Sequence, residues 1–365
     1  MKKIALSLLV LAGLFSSCGK KAEEAKTGTV DLEALKGSTL NILAWEGYAD
    51  ASFTKEFEEK YGVTVKGTYF GSSDELVSKL QSGGGASYDV ITPSSDVAGY
   101  IVSSGLVEAI ETDQIKAWDS LSPTLLAMKD VQKDGKFYGM PFTWGPDYLI
   151  YNADVIKETP TSWSLFNDPK YKGKIALYDD ISSIYLVAQM LGFDKTDPNA
   201  LYNMSENQLL ACKAKLVEMK PQIRKFWASA GELDNLFKNK EIVAAVGWPL
   251  TPANLNKQGM NIKAVIPKEG ATGWIDRLMI VKDAKNKQLA QLWLDYVSQP
   301  KVMAQVAEFT QYYVANPAAN ALLSPETQKL MDVASMDAMF KTLNFWQPVK
   351  ERKRYNEIWN EVKNQ

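Results

Sequence analysis

The chain has 365 residues, which suits two domains of about 100–200 residues each better than one. Hydrophobic residues make up 46% and charged residues 23%, which excludes wholesale disorder. Lys+Arg number 41 and Asp+Glu 43, a balance that argues against a dedicated nucleic-acid binder. There is no histidine and there are only two cysteines. Ser-His-Asp and Cys-His catalysis, histidine zinc sites and a disulfide framework are therefore excluded. No metal site and no cofactor is expected.

Met1-Lys2-Lys3 is a short basic start, and Ile4 to Phe15 is a largely apolar run of 12 residues. That run is too short to cross a hydrocarbon core, which takes about 20 residues, so residues 1–17 read as a signal peptide. The run closes on Leu14-Phe15-Ser16-Ser17-Cys18, which resembles a bacterial lipoprotein lipobox, with Phe15 where the pattern usually has Leu. The resemblance implies cleavage before Cys18 and lipidation of that residue. Residues 18–38, rich in Lys, Glu, Ala, Gly and Thr, read as a flexible tether. No later segment is apolar enough to span a membrane.

Leu40 to Ala44 reads as a buried strand. Phe53, Phe57 and Tyr61 recur at helical spacing from Asp50, and Gly62 can end that helix. Val63 and Val65 begin a second strand, and Ser72 to Glu75 has the spacing of a capping box for the next helix. The glycines of Ser82 to Ser87 lack the strand-turn-helix setting of a phosphate cradle and read as a turn. Tyr88 to Thr92 is a third strand, followed by another helix. This β-α-β-α-β order predicts a parallel, helix-covered sheet. A second such unit begins after Asn152: strands at Lys174–Tyr178, Ile242–Gly247, Ala264–Ile266 and Leu278–Val281, with helices at Leu209–Met219 and Leu233–Lys238. Cys212 falls on the apolar stripe of a helix and reads as a small buried hydrophobe. Asn286 to Val362 reads as mainly helical.

In open α/β sheets, ligands bind beyond the carboxyl ends of strands. Trp45, Glu46 and Tyr48 follow the first strand, and Ser94, Ser95 and Asp96 follow the third. Asp179, Asp180, Ser182 and Ser183 follow Lys174–Tyr178, Trp248 follows Ile242–Gly247, and Trp274 and Asp276 lead into Leu278–Val281. Each of these has an ordinary structural reading, as a core indole or a helix cap. Together they make aromatic walls with carboxylates, which suit a flexible aliphatic cation: carboxylates pair with ammonium groups, and aromatic faces pack on methylenes and attract cations.

Six stretches in order carry a resemblance: Leu43-Ala44-Trp45-Glu46-Gly47-Tyr48, Tyr88-Asp89-Val90-Ile91-Thr92-Pro93-Ser94, Pro141-Phe142-Thr143-Trp144-Gly145, Tyr171-Lys172-Gly173-Lys174-Ile175-Ala176-Leu177, Val246-Gly247-Trp248, and Pro267-Lys268-Glu269-Gly270 running to Trp274-Ile275-Asp276. From Thr39 to about Lys363 the chain is similar to the periplasmic spermidine/putrescine-binding proteins of polyamine ABC transport. The resemblance implies an α/β fold, a two-lobed periplasmic-binding-protein clamshell with a mostly parallel sheet in each lobe. The ligand would lie in the cleft between the lobes. Lobe 1 would comprise 39–145 plus 277–322, and lobe 2 146–276 plus 323–365. Hinge strands would pass near Trp144–Asn152 and Trp274–Arg277. Trp45, Tyr48, Trp248 and Trp274 would be aromatic walls, and Asp180 and Asp276 would hold amine groups. Ser94, Tyr312 and Gln347 would add polar contacts.

Asp96 stands where spermidine-type members have an aromatic residue, Ser183 where a second carboxylate usually follows, and Thr251 where putrescine-type relatives have Asp. Glu46 and Asp96 are expected to supply the missing charge. The expected function is capture of putrescine or spermidine and delivery to ABC permease subunits with an associated ATPase, without bond chemistry. An exported, lipid-anchored periplasmic monomer is expected, with no catalytic residue and no nucleic-acid partner. Three alternatives stay open. The clamshell could serve another small solute, such as an amino acid or another organic cation. A carboxylate-based glycosidase could use Asp180 and Asp276, and a structural surface lipoprotein would need no cleft.

Overall fold

A computed structural model describes residues 32–195 and 197–365. The expected signal peptide, Cys18 and the first part of the expected tether lie outside the described residues. The remainder of that tether is ordered differently from the expectation. Leu32–Leu35 is a short helix with Leu35 buried, and Gly37 and Ser38 hydrogen-bond to Gly62 and Thr64, so the folded unit begins before Thr39.

The first strand is β1 (Thr39–Ala44), whose Leu40, Ile42 and Leu43 are fully buried. Asp50 then caps the helix Ala51–Tyr61 by accepting from Ser52 N at 2.9 Å. Phe53 and Phe57 fill its inner face, and Gly62 ends it at φ 65°, a conformation that costs glycine little. Strand β2 (Thr64–Tyr69) pairs with β1 in parallel. Ser72 caps the helix Ser73–Gln81, but the Glu75 carboxylate turns back one residue further, to Gly71 N at 2.7 Å. Strand β3 (Val90–Ile91) and the helix Ser95–Ser103 complete the N-terminal unit as expected.

The later strands are β4 (Gln132–Lys133) and β5 (Lys136–Phe137), which form a small hairpin, then β6 (Met140–Pro146), β7 (Tyr148–Asn152), β8 (Ile175–Tyr178), β9 (Ile223–Trp227), β10 (Ala244–Gly247), β11 (Ile262–Val265), β12 (Thr272–Ile280), β13 (Tyr313–Val314) and β14 (Asn344–Phe345). A seven-stranded sheet has the order β13-β6-β12-β3-β1-β2, with β14 added on β12. A five-stranded sheet has the order β11-β7-β10-β8-β9. Both are mixed rather than mostly parallel. In the first, β12 runs antiparallel to β3 and β6; in the second, β7 runs antiparallel to β10 and β11.

The antiparallel members arise because the chain leaves one sheet and enters the other. Strand β6 ends at Pro146 and β7 begins at Tyr148, so Asp147 alone joins the sheets there. The return crossing lies between β11 and β12. The whole of β12 belongs to the first sheet, so the boundary expected at 276/277 falls inside a strand.

Helices cover both sheets. Lys287–Ser298 and Pro300–Thr310 pack with Ala51–Tyr61 on the first, and Ser182–Met190, Glu206–Met219 and Arg352–Lys363 pack on the second. Residues Leu32–Gln365 form one compact unit. In its interior Arg277 is fully buried, and its guanidinium meets Asp130 through Nε at 3.2 Å and Nη2 at 3.1 Å. Cys212 is buried in its helix, and burial pushes the thiol up to about 12.

Candidate functional site

Two cavities lie where the carboxyl ends of strands from the two sheets meet, and both are lined by Trp248. The outer one is lined by Trp45, Glu46, Tyr48, Ser94, Trp248, Trp274, Asp276, Tyr312 and Trp346. Strands β1 and β3 deliver Trp45 and Ser94 just past their ends, and β12 carries Trp274 and Asp276 on alternate positions, hence on one face. A register shift in β12 falls immediately after Asp276, so Arg277 turns to the opposite side and to Asp130.

Asp276 is the polar centre of this cavity. Its Oδ1 accepts from Ser94 Oγ at 2.5 Å and its Oδ2 from Tyr48 Oη at 2.5 Å. Trp45 Nε1 donates to Ser94 Oγ at 3.1 Å, and Tyr48 Oη also meets Thr143 Oγ1. Burial pushes the Asp276 carboxyl up to about 7, against the opposing pull of its hydrogen bonds and of Arg277. Burial, with Asp276 next, likewise drives the Tyr48 hydroxyl well above its ordinary value. Tyr312 sets its ring against Trp274 with centroids 4.7 Å apart. Glu46 lines the same cavity, and its Oε2 accepts from Gly231 N at 3.0 Å, in the first turn of the helix Ala230–Lys238.

The second cavity lies on the side of the five-stranded sheet. Its aromatic wall is Tyr178, Trp227 and Trp248, with ring centroids 4.6 to 5.1 Å apart. Asp147, Thr272, Ser182, Ser183 and Gln189 are the polar residues that line it. Ser183 donates to Tyr178 O at 2.7 Å.

Three expected residues sit elsewhere. Asp96 does not line either cavity. Its Oδ2 accepts from Arg352 Nη1 at 2.9 Å and its Oδ1 from Ser73 Oγ at 3.0 Å, because a buried carboxylate takes the nearest cation. It therefore does not add charge to the cavities. Asp180 is buried beside the second cavity without lining it; it accepts from Ser182 N at 2.8 Å, and burial pushes it up to about 6. Gln347 is exposed and bonds Asn199 Oδ1 at 2.9 Å, while its neighbour Trp346 lines the outer cavity instead. Sequence reasoning missed Asp147, Tyr178, Trp227 and Trp346. Tyr178 and Trp227 end their strands, a signal that was available; Asp147 had none, since it lies inside Trp144–Asn152, which was expected only as a hinge strand.

Contacts also cross between the sheets around the cavities. Tyr178 Oη donates to Gly71 O, and the Gly71 backbone runs so close to Ala228 O that a Cβ there would collide with it.

Two mixed sheets flanked by helices, with polar and aromatic cavities where their strand ends meet, make an α/β fold of the binding-protein type. Residues 52–335 match the family model of the bacterial extracellular solute-binding proteins, and the chain belongs to that family. It is thus a solute-binding protein of ABC transport and not an enzyme. It is 27% identical over 350 residues to the putrescine-binding periplasmic protein PotF of Escherichia coli K12, a match spanning 90% of this chain and 92% of that one. An ABC transporter structure from Listeria monocytogenes superposes with a TM-score of 0.78 at 26% identity, covering 89% of this chain and 98% of that chain. The binding protein MotA of Agrobacterium tumefaciens, solved with glucopine, has a TM-score of 0.73 over 89% of this chain and 99% of its own; at 20% identity it shows the shared fold alone.

Proposed function

We propose that this protein captures a polyamine, putrescine or spermidine, between its lobes and delivers it to the permease subunits of an ABC importer. The observation that carries this is Asp276: a buried carboxylate in an aromatic cavity, held by two neutral donors and by no ion pair among the described residues. Such a group is costly when ionised and favours a cation beside it. Indole and phenol faces around it suit methylenes. In this reading Trp45, Tyr48, Trp248, Trp274 and Tyr312 are walls, Ser94 and Tyr48 orient Asp276, and Glu46 guards the mouth. Asp180 acts on ligand charge at a distance. The lobes divide at Asp147 and again between β11 and β12, and the crossing strands act as the hinge. Closure is a population shift toward the state that binds ligand better. A lipid on Cys18 and the preceding signal peptide place the protein outside the cytoplasmic membrane as a tethered monomer.

Isothermal titration with putrescine, spermidine, spermine and a panel of amino acids tests this. One-to-one binding of a polyamine supports it; heat from another solute with silence toward all polyamines overturns it. One observation favours a second reading. Trp274 Nε1 and Gln189 Nε2 are buried donors without partners, one lining each cavity. A solute carrying an acceptor, such as an amino acid derivative, would answer them, and the panel includes that class.

A further inference from the structure

The second cavity contains one carboxylate, and no lysine or arginine lines it. That carboxylate, Asp147, is 6% exposed and joins no ion pair among the described residues. It is the single residue between β6 and β7, so its backbone is fixed by both sheets, and its N–H donates to Thr272 O at 2.8 Å. Its side chain gathers donors from three separate segments. Trp248 Nε1 reaches Oδ1 at 3.0 Å, and Trp346 Nε1 and Thr272 Oγ1 reach Oδ2 at 3.1 and 2.5 Å. A carboxylate offers about four acceptor positions, so one remains, on Oδ1. The two indoles it holds are walls of the outer cavity, where Asp276 sits. Two buried carboxyl groups, each without an ion-pair partner among the described residues, thus stand in two cavities that share Trp248.

We propose that Asp147 is the specificity-determining carboxylate of the inner cavity: it fixes the indoles of Trp248 and Trp346 and accepts the second ammonium of a linear diammonium ligand whose first ammonium meets Asp276. This rests on the polyamine reading above. It assigns the far amino group to Asp147 rather than to Asp180 or to the serine at 183. The Arg352 guanidinium, bound to Asp74 and Asp96, stays outside this cavity, so nothing cationic competes for Asp147. Burial holds the Asp147 carboxyl near 7 in the ligand-free protein, and an ammonium would bring it fully into its ionised form.

The test compares 1,4-diaminobutane with 4-aminobutanoate, which replaces the second ammonium by a carboxylate on nearly the same chain. Isothermal titration of the full chain and of Asp147→Asn gives the ratio of the two affinities. The expected result is a loss of at least 100-fold for the diamine with 4-aminobutanoate unchanged or tighter. If Asp147 only positioned the indoles, both ligands would weaken together and the ratio would stay within threefold; that result overturns the proposal. Should Asp147→Asn fail to fold, Thr272→Val removes one donor and keeps the charge, so the preference for the diamine is expected to hold or rise, and a fall in it overturns the proposal. Silence of the parent protein toward every di- and polyamine would instead refute the polyamine reading itself.

Discussion

Replacing Asp276 by asparagine separates the cost of the site from its use. In the ligand-free protein the carboxyl is raised from 3.8 to about 7, chiefly by burial. At 1.36 kcal/mol per pH unit, holding it ionised at pH 8 costs about 4 kcal/mol of folding stability. The sign is that of a raised acid: no penalty below pH 4, a growing one as pH rises toward 7, and the full one above. The amide removes the charge but leaves Ser94 or Tyr48 with a donor unanswered, at about 1–3 kcal/mol. The net expectation is a ligand-free Asp276→Asn variant that melts about 1–4 °C higher at pH 8 and gains nothing at pH 4.5. The same variant loses the charge-assisted contact, commonly worth about 2–5 kcal/mol, so polyamine affinity falls by roughly 30-fold or more. Calorimetric scans at the two pH values and titration with spermidine measure both. A variant less stable than the parent at pH 8, or one with affinity within threefold, would refute the argument.

Ligand binding at pH 6 should release protons, because an ammonium favours the ionised forms of Asp276 and Asp147, both near 7 without ligand. The observed heat will therefore vary with the buffer's ionisation enthalpy at pH 6 and much less at pH 8.5. Gly71→Ala puts a methyl against Ala228 O and wedges the sheets apart; faster ligand release and a larger radius of gyration with ligand are expected from stopped flow and X-ray scattering. Arg277→Ala leaves Asp130 without its partner and opens a void in the core, so denaturant unfolding should show a loss of about 3–5 kcal/mol. Gly145→Ala places a Cβ 2.8 Å from Trp274 Cζ2 and should shift that wall, lowering affinity while the melting temperature moves little.

Sequence signals were strong where a short apolar strand ends in an aromatic residue or a carboxylate. Trp45 and Trp248 were found that way, Ser94 among the residues after the third strand, and Trp274 and Asp276 on the leading side of Leu278–Val281; the structure brings all five to the outer cavity. The signal failed where partners are remote. Asp96 meets Arg352 across 256 positions, so no local pattern shows that its charge is already answered. Strand β6 was not read as a strand, because Met140-Pro141-Phe142-Thr143-Trp144-Gly145-Pro146 holds two prolines and a glycine. Pairing with β12 and complete burial override that local preference. Asp147 is legible only once β6 and β7 are known to belong to different sheets. Trp346 was missed by one position because the fold turns the indole inward and leaves Gln347 in solvent.

The place of β12 in the first sheet bears on the order in which the molecule is made. Strand β12 lies between β3 and β6, and the whole five-stranded sheet is synthesised between β6 and β12. The first sheet must therefore wait, open through its middle, until residues beyond Thr272 arrive, and long-range pairing of this kind is slow to form. The same late strand carries Trp274 and Asp276. Closure of the middle of the first sheet and delivery of Asp276 to the cavity are one event. A chain stopped short of Ile280 has neither a finished sheet nor a pocket, and partly made protein has no means of holding ligand.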